Sequence, residues 1–478
     1  MVLTFSSSST KQRRREQQHP PLTSSLTKGT SSSRSISYIR SKFLLYAILL
    51  IFLVVWNLER YGVENLSLGH SSNLLVVDDS SAAGAASSLW MTEPSQLWKP
   101  KFDQTPHPLL LSVPFYIYEE LLWDPTQSRL GNATLQELAH AGTLGKHSND
   151  YWFIQAALHH PLRTLHPQDA KLFVIPTLTN LHYMKVYDKS KTLCIVYNPS
   201  TKQGASKKEQ TTKRCDKSIF THAAQVLERS PYFTDGHDHI LTASHFRISK
   251  QPSFLPSLFV KNVLRQVHQV VFENRNSTNG PDRLSFPSYL VGTPCARSTK
   301  KTADLALIAS LKPHDDRFRD RSNICAWISA SSSNNIRMPV CGDGDQCPSL
   351  AQSKYGFHVR GDTWGSQRLM DTLLSGTAPI FTSPQQYAVQ PSWIDWDQLS
   401  ERVNVSSKDV LLKDIHRILK DTTRYHQLVQ NIQQHRHLFD WTTLYPFDTY
   451  MYMLQAHLYP ETKHDPAKNN PYTALRLP

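Results

Sequence analysis

The sequence predicts an α/β fold with two domains, each built on a parallel sheet covered by helices. Three observations predict it. Between residues 111 and 478, short apolar runs of strand length alternate with stretches of helical periodicity, the pattern that produces parallel sheets with helical crossovers. That region is too long for one typical domain of about 100–200 residues. One stretch, Ser353–Pro384, reads as a complete strand–loop–helix–strand unit. Hydrophobic residues make up 39% and charged residues 19% of the chain, which excludes disorder throughout, a collagen-like repeat and a long coiled coil.

The elements follow in order. Val113–Tyr118 is a strand, and folded sequence is expected to begin there. Asp150–His160 suits a helix that stops at Pro161, because proline cannot continue a helix. Lys171–Pro176 is a short apolar strand, and Thr201–Lys217, polar and Lys-rich, a surface loop. Ile219–Arg229 is helical, His239–Ala243 a strand and Leu258–Phe272 an amphipathic helix. Asp304–Ser310 is a strand, followed by a basic region and a Cys-bounded loop, Cys341–Cys347. Tyr355–Val359 is a strand, Gln367–Leu374 a helix, Ala378–Thr382 a strand and Lys408–Trp441 mostly helical.

The formal net charge is +13, but eight Lys/Arg against the single Glu16 place +7 of it within residues 1–42. Clustered positive charge in the folded part, which nucleic-acid binding needs, is missing, so no nucleic-acid partner is expected. Residues 1–37 hold eleven serines and no apolar periodicity, the composition of a disordered tail. Phe43–Leu58 carries no charge. As a helix it is about 24 Å long, close to the ~27 Å core of an early secretory membrane. Lys42 and Arg60 at its ends can snorkel to the headgroups. A buried core helix is rarely apolar on every side. A cleaved signal peptide would lack a small-residue site close behind Leu58. The segment 43–58 is therefore expected to be an uncleaved signal anchor, with the basic tail (1–42) cytosolic. Residues 59–110 then form a luminal stem, and the chain is a single-pass type II membrane protein. All six cysteines and four N-x-S/T sequons (Asn65, Asn132, Asn276, Asn404) follow the anchor, as a lumen that permits disulfides and glycosylation requires. No C-x2-C pair is present for zinc.

In Ser353–Pro384, Ser366 can cap the helix, Arg368 stands in its first turn, and Asp371 lies three residues on along the same face. Free N–H groups beside an arginine form an anion site, and an acid one turn on suits a ribose hydroxyl pair. Gly376 can end the helix. The alternative is a β-α-β unit with a surface Arg–Asp pair.

Ser353, Lys354, Gly361, Ser366, Arg368, Asp371, Gly376 and Pro379 together resemble the signature of the exostosin-type glycosyltransferases. Looser similarity lies in Tyr116-Ile117-Tyr118-Glu119, Ala170–Pro176, Gly236–His245 and Ile394-Asp395-Trp396, so that the resemblance covers about Phe115–Leu454. Val359 and Thr377 depart from the family's usual Pro and Cys, Phe246 stands where an Asp is common, and Phe286-Pro287 fits poorly.

The resemblance implies a GT-B architecture, two Rossmann-like domains facing a cleft: an acceptor-side domain (111–295) and a nucleotide-sugar-binding domain (296–478). It implies an inverting glycosyltransferase of the Golgi membrane that moves a sugar from a UDP-sugar to a glycan or glycoprotein, with no cofactor and no essential metal. A homo- or hetero-oligomer with another glycosyltransferase is among the implied partners. Gly361, Asp362, Ser366, Arg368 and Asp371 are the implied donor-binding residues. Lys312, Arg317, Arg319 and Arg321 follow the Asp304–Ser310 strand, and of these Arg317 and Arg319 are the expected contributors to the diphosphate; the plainer alternative is a solvated basic loop. Asp238, His239 and His245 are the candidates for the base that an acceptor hydroxyl needs, against a role in simply holding loops together. Asp343-Gly344-Asp345 spells a metal motif but lies in a loop, His237-Asp238-His239 lacks a third ligand, and Arg360-Gly361-Asp362 is an adhesion tripeptide by spelling alone. The rival function is an inactive membrane-anchored subunit that binds glycan or assists assembly.

Overall fold

The computed structural model describes residues 98–476 apart from 105–106, 185–190, 198–211, 249, 274–281, 296–299, 332–334, 463–471 and 473. The expected tail, anchor and most of the stem, with Asn65, lie outside the described residues, as does Asn276. Among the described residues no helix is long and apolar enough to cross a membrane.

Fifteen strands form three sheets among the described residues. The first six-stranded sheet joins β1 (Phe115–Ile117), β4 (Arg163–Thr164), β5 (Leu172–Val174), β8 (His239–Ala243), β9 (His268–Val271) and β10 (Ser285–Pro287) in the order β10-β9-β8-β5-β1-β4. Every pairing in it is parallel. The second joins β11 (Ala303–Ile308), β12 (Cys341–Gly342), β13 (Ser353–His358), β14 (Ala378–Phe381) and β15 (Glu401–Arg402) in the order β12-β11-β13-β14-β15, again all parallel. Numbered within each sheet, the strand order is the same 2-1-3-4-5 in both, with a sixth strand added to the first sheet. A parallel sheet of this order has a crevice at the carboxyl ends of its first and third strands, where the chain departs in opposite directions. A small antiparallel sheet, β2 (Arg129–Leu130), β3 (Ala133–Thr134), β6 (Leu193–Tyr197) and β7 (Thr212–Cys215), sits apart from both.

The central strands β5, β8, β9 and β14 are buried throughout, as strands covered on both faces must be, which is why they read as unbroken apolar runs. Ser366 caps the Gln367–Leu374 helix by accepting the Arg368 N–H at 3.4 Å. That helix buries Leu369, Met370, Leu373 and Leu374, and it ends at Gly376, whose φ of +70° is open to glycine and strained for other residues. Gly356 of β13 lets the same helix approach closely: a Cβ there would meet Thr372 Cγ2 at 2.9 Å.

Four expectations are corrected. Leu258–Phe272 is not one helix: the helical part, Ser257–Leu264, ends in a wide turn and β9 follows, its buried β-branched Val270 and Val271 pairing with β8. Thr212–Cys215, expected in a loop, pairs antiparallel with β6, and the Cys194–Cys215 disulfide locks the pair. The Cys341–Cys347 loop is reduced to 343–345, since Cys341 lies in β12 and Cys347 in the helix Gln346–Gln352, bonded to Cys325 and Cys295 respectively. Ordered packing begins before Val113: Trp98 stacks on Trp152, and the Leu110 and Leu111 N–H groups donate to Asp448 at 2.7 and 3.0 Å.

That aspartate belongs to a helix sequence reasoning missed, Tyr445–Leu458. Its Phe447 packs on Phe115 and Phe153, and its Asp448 meets His160 Nε2 at 3.3 Å. The chain therefore returns at its end to the first sheet, although the expected division at 295/296 groups this helix with the second.

Candidate functional site

The carboxyl ends of both parallel sheets open onto one cavity of about 280 Å3. From the second sheet it is lined by Ile308, Ser310, Lys312, Phe318 and Arg321 after β11, Gln346 after β12, and Gly361, Asp362, Thr363, Gly365, Ser366, Gln367, Arg368 and Asp371 after β13. This is the second sheet's crevice between its first and third strands. From the first sheet come Lys146 and His147 in the β1–β4 crossover, Phe246 after β8, Phe272 after β9 and Leu290 after β10.

Arg368 is half-buried. Its Nε donates to the Ile308 carbonyl at 2.7 Å and its Nη1 to Ser366 Oγ at 2.9 Å. A guanidinium has five N–H donors, so three remain for a ligand. Burial lowers its pKa, opposed by Asp371 and Asp362, yet an arginine stays charged. Arg321 is buried and ties the two loops together: its Nη1 donates to Ser310 O at 2.6 Å, and its Nε donates at 3.0 Å to Arg360 O, which its Nη2 also reaches. Its guanidinium lies over the Phe318 ring at 4.1 Å, and burial, with Arg368 adding, brings its pKa down to about 10. Lys146 reaches in from the opposite wall; loss of solvation lowers its pKa, Asp362 opposes this and Arg368 adds to it.

Asp371 is fully buried. It accepts the Thr293 N–H at 2.6 Å and the Gln346 side-chain amide. Burial outweighs these donors and pushes its carboxyl up to about 7. Four basic side chains (Lys146, Lys312, Arg321 and Arg368) face two acidic ones, Asp362 and Asp371, among the lining residues, and burial favours the neutral form of the second. This balance of charge favours an anion. Its 361–366 loop is pinned to the first sheet's side, where Glu273 Oε1 accepts the Gly365 N–H at 2.8 Å.

Five sequence candidates thus meet in one place: Gly361, Asp362, Ser366, Arg368 and Asp371. Arg317 and Arg319 do not join them. Both are largely exposed and paired with Asp315 and Asp316, and of the four basic residues after β11 it is Lys312 and Arg321 that line the cavity. The helix Arg319–Ser329 turns Arg321 inward and leaves Arg319 outside. Asp238 and His239 do not line the cavity. They lie at the amino end of β8, where His239 is buried between Asp238 (Nδ1 to Oδ1, 2.6 Å) and Tyr118 (Nε2 to Oη, 2.7 Å) and stacks on Phe173. In a parallel sheet that edge is the one opposite the ligand crevice. His245, beyond the carboxyl end of β8, packs behind the wall against His147 and Phe246, and burial takes its pKa down to about 3. Among the described residues no group of three His, Cys, Asp or Glu side chains is arranged to hold a metal, Asp343 and Asp345 included. Asn132 and Asn404 are exposed.

Sequence reasoning missed Lys146, His147, Gln346 and Glu273. No local signal marks the first two, since they lie in an irregular crossover far from Arg368 in the chain. For Glu273, an acid directly after the apolar run Val270-Val271-Phe272 was the one available sign.

No curated protein matches the chain by sequence. Among solved structures the chain is similar to Alr3699/HepE of Anabaena, determined with UDP and glucose, at 8% identity over 59% of this chain and 77% of that one (TM-score 0.32). A glycosyltransferase from Rickettsia africae matches at 11% identity over 65% and 95% (TM-score 0.31). TarM, known from S. aureus, matches at 7% over 52% and 58% (TM-score 0.30), so the chain spans less than two thirds of TarM's length. The model of the exostosin GT47 domain matches residues 112–422, well over half the chain and both parallel sheets. The chain belongs to the exostosin family of glycosyltransferases.

Proposed function

We propose that the cavity binds the diphosphate of a UDP-sugar and that the protein, with the GT-B architecture, transfers the sugar with inversion to a glycan or glycoprotein acceptor. The observation that carries this reading is the set of four cations, led by Arg368, converging where both sheets end. As the bond from the anomeric carbon to the diphosphate breaks, negative charge builds on the leaving phosphate, and fixed cations aimed at it stabilise the transition state. Arg368 offers its three spare donors, Lys312 and Lys146 approach from either side, and Arg321 holds the two loops in register. Asp371, buried at the third residue after Arg368, carries the ribose in this reading when its carboxylate trades a protein partner for the hydroxyls. No step needs a metal. The chain works as a single-pass type II protein of the Golgi membrane, with the folded part luminal.

The test is to offer the full-length protein a panel of UDP-sugars, with water and with pooled glycans as acceptors, and to measure UDP affinity and UDP release. Affinity for UDP with release from one sugar supports the reading. Affinity without release points to the inactive-subunit alternative, and no affinity refutes the site.

A further inference from the structure

His147 lines the cavity from the side of the first sheet, and Arg368 lines it from the side of the second. It precedes the Asn149–His159 helix, whose buried residues Tyr151, Trp152, Phe153 and Ile154 anchor it in the core. The His147 side chain is buried, and its Nδ1 has no hydrogen-bond partner among the described residues. A buried polar nitrogen without a partner is uncommon and costs stability. In a native protein such a group calls for an explanation, a catalytic role among them. The ring is held by three neighbours from two segments: His245 at 4.6 Å and Phe246 at 6.0 Å after β8, and Phe272 at 5.9 Å after β9, between centroids.

We propose that His147 is the base that takes the acceptor's proton, an inference that rests on the UDP-sugar reading above. An inverting transfer needs the leaving group and the base on opposite faces of the sugar. Arg368, on the second sheet's side, holds the leaving diphosphate, and His147 faces it from the first. The acceptor oxygen forms its bond to the anomeric carbon while the bond from that carbon to the phosphate oxygen breaks. That electron pair stays on the diphosphate, the hydroxyl proton passes to the imidazole, and the imidazolium then releases it to solvent.

The charged and titratable groups around the ring fit this use. Burial, then His245 and Lys146, hold the His147 pKa well below its ordinary value, so in the free protein the imidazole is neutral and a weak proton acceptor. An arriving diphosphate places negative charge beside it, which favours the protonated form and so strengthens the base only once the donor is bound. His245, the earlier candidate, lies behind His147 and does not line the cavity.

The experiment compares wild type, His147→Asn and His147→Ala as full-length proteins for UDP affinity, UDP release from the panel of UDP-sugars and thermal unfolding. A general base typically contributes 10²–10⁴-fold. Release is therefore expected to fall by about 100-fold or more while UDP affinity stays within about 3-fold, and added imidazole should restore part of the release in His147→Ala. Release within about 10-fold of wild type, or UDP affinity that falls in parallel with release, overturns the assignment. So does unfolding of both variants, which would make His147 a packing residue. A wild type that binds UDP yet releases none overturns the base alone, whereas a wild type without UDP affinity removes the donor site itself.

Discussion

Replacing Arg368 tests the centre of the site. In the free protein its side chain spends one donor on Ile308 O and one on Ser366 Oγ, leaving three that no described group uses. If they meet a phosphate, Arg368→Ala removes a charge-assisted, forked contact worth roughly 1.5–3 kcal/mol. At about 1.4 kcal/mol per tenfold, UDP affinity should fall by about 10- to 150-fold. The same change removes two charge-assisted hydrogen bonds to neutral oxygens in the cavity wall, roughly 1.5–3 kcal/mol each at most. For a chain this long that is a fall of no more than about ten degrees in Tm. Arg368→Lys should recover part of the affinity and not the rest, because an ammonium cannot fork between two acceptors. Calorimetric titration with UDP and thermal unfolding on the three proteins decide the matter. Equal UDP affinity in all three would refute the reasoning, for Arg368 would then serve only to join the strand end to its helix. A collapse of Tm by tens of degrees would refute it differently, by making the arginine structural.

Three other outcomes are expected. His358, fully buried with neither ring nitrogen hydrogen-bonded among the described residues, has its pKa held down to about 3 by burial and Arg368. A histidine whose folded pKa is depressed gives its full stability above about pH 6.5 and loses it as the pH falls, at about 1.4 kcal/mol per unit; denaturant melts of His358→Phe should therefore gain on wild type by about 2 kcal/mol between pH 7.5 and pH 5, and an unchanged difference would argue against a buried neutral imidazole. The Cys295–Cys347 bridge spans 52 residues and sits beside Gln346, so Cys295→Ser with Cys347→Ser should cost about 4 kcal/mol by loop entropy and weaken UDP binding, whereas opening the Cys194–Cys215 hairpin should leave UDP affinity alone. Protease added to intact microsomes should trim only the basic tail and leave a glycosylated fragment of nearly full size, and digestion of the bulk of the chain from outside would exclude the type II orientation.

Much of the second sheet was legible because its signals are local. Gln367–Leu374 was read with both its ends right, since Ser366 and Gly376 announce a cap and a stop in the side chains themselves. His239–Ala243 was read to the residue for a similar reason, five consecutive residues of a strand with both faces covered. The failures came where a local pattern serves two structures. Leu258–Phe272 is apolar enough for one long helix, and only the place reserved for β9 between β8 and β10 turns its second half into a strand. The polar Thr212–Cys215 has no strand pattern of its own, and its partner β6 and a disulfide supply the reason it pairs.

Local sequence was enough for the alternating strands and helices, the capped helix carrying Arg368, and the exostosin signature along Ser353–Pro379. These are properties of neighbouring residues, decided by side-chain periodicity and by the groups that satisfy free backbone donors. Tertiary structure alone decided which of the remaining candidates reach the cavity. Asp238 and His239 stand only a few residues from His245 in the chain, yet they lie at the other edge of the sheet, because a strand's two ends are separated by its length and parallel strands gather all their carboxyl ends on one side. Lys146 and His147, in a crossover more than 200 residues before Arg368, arrive opposite it because both sheets turn their carboxyl ends to the same cavity.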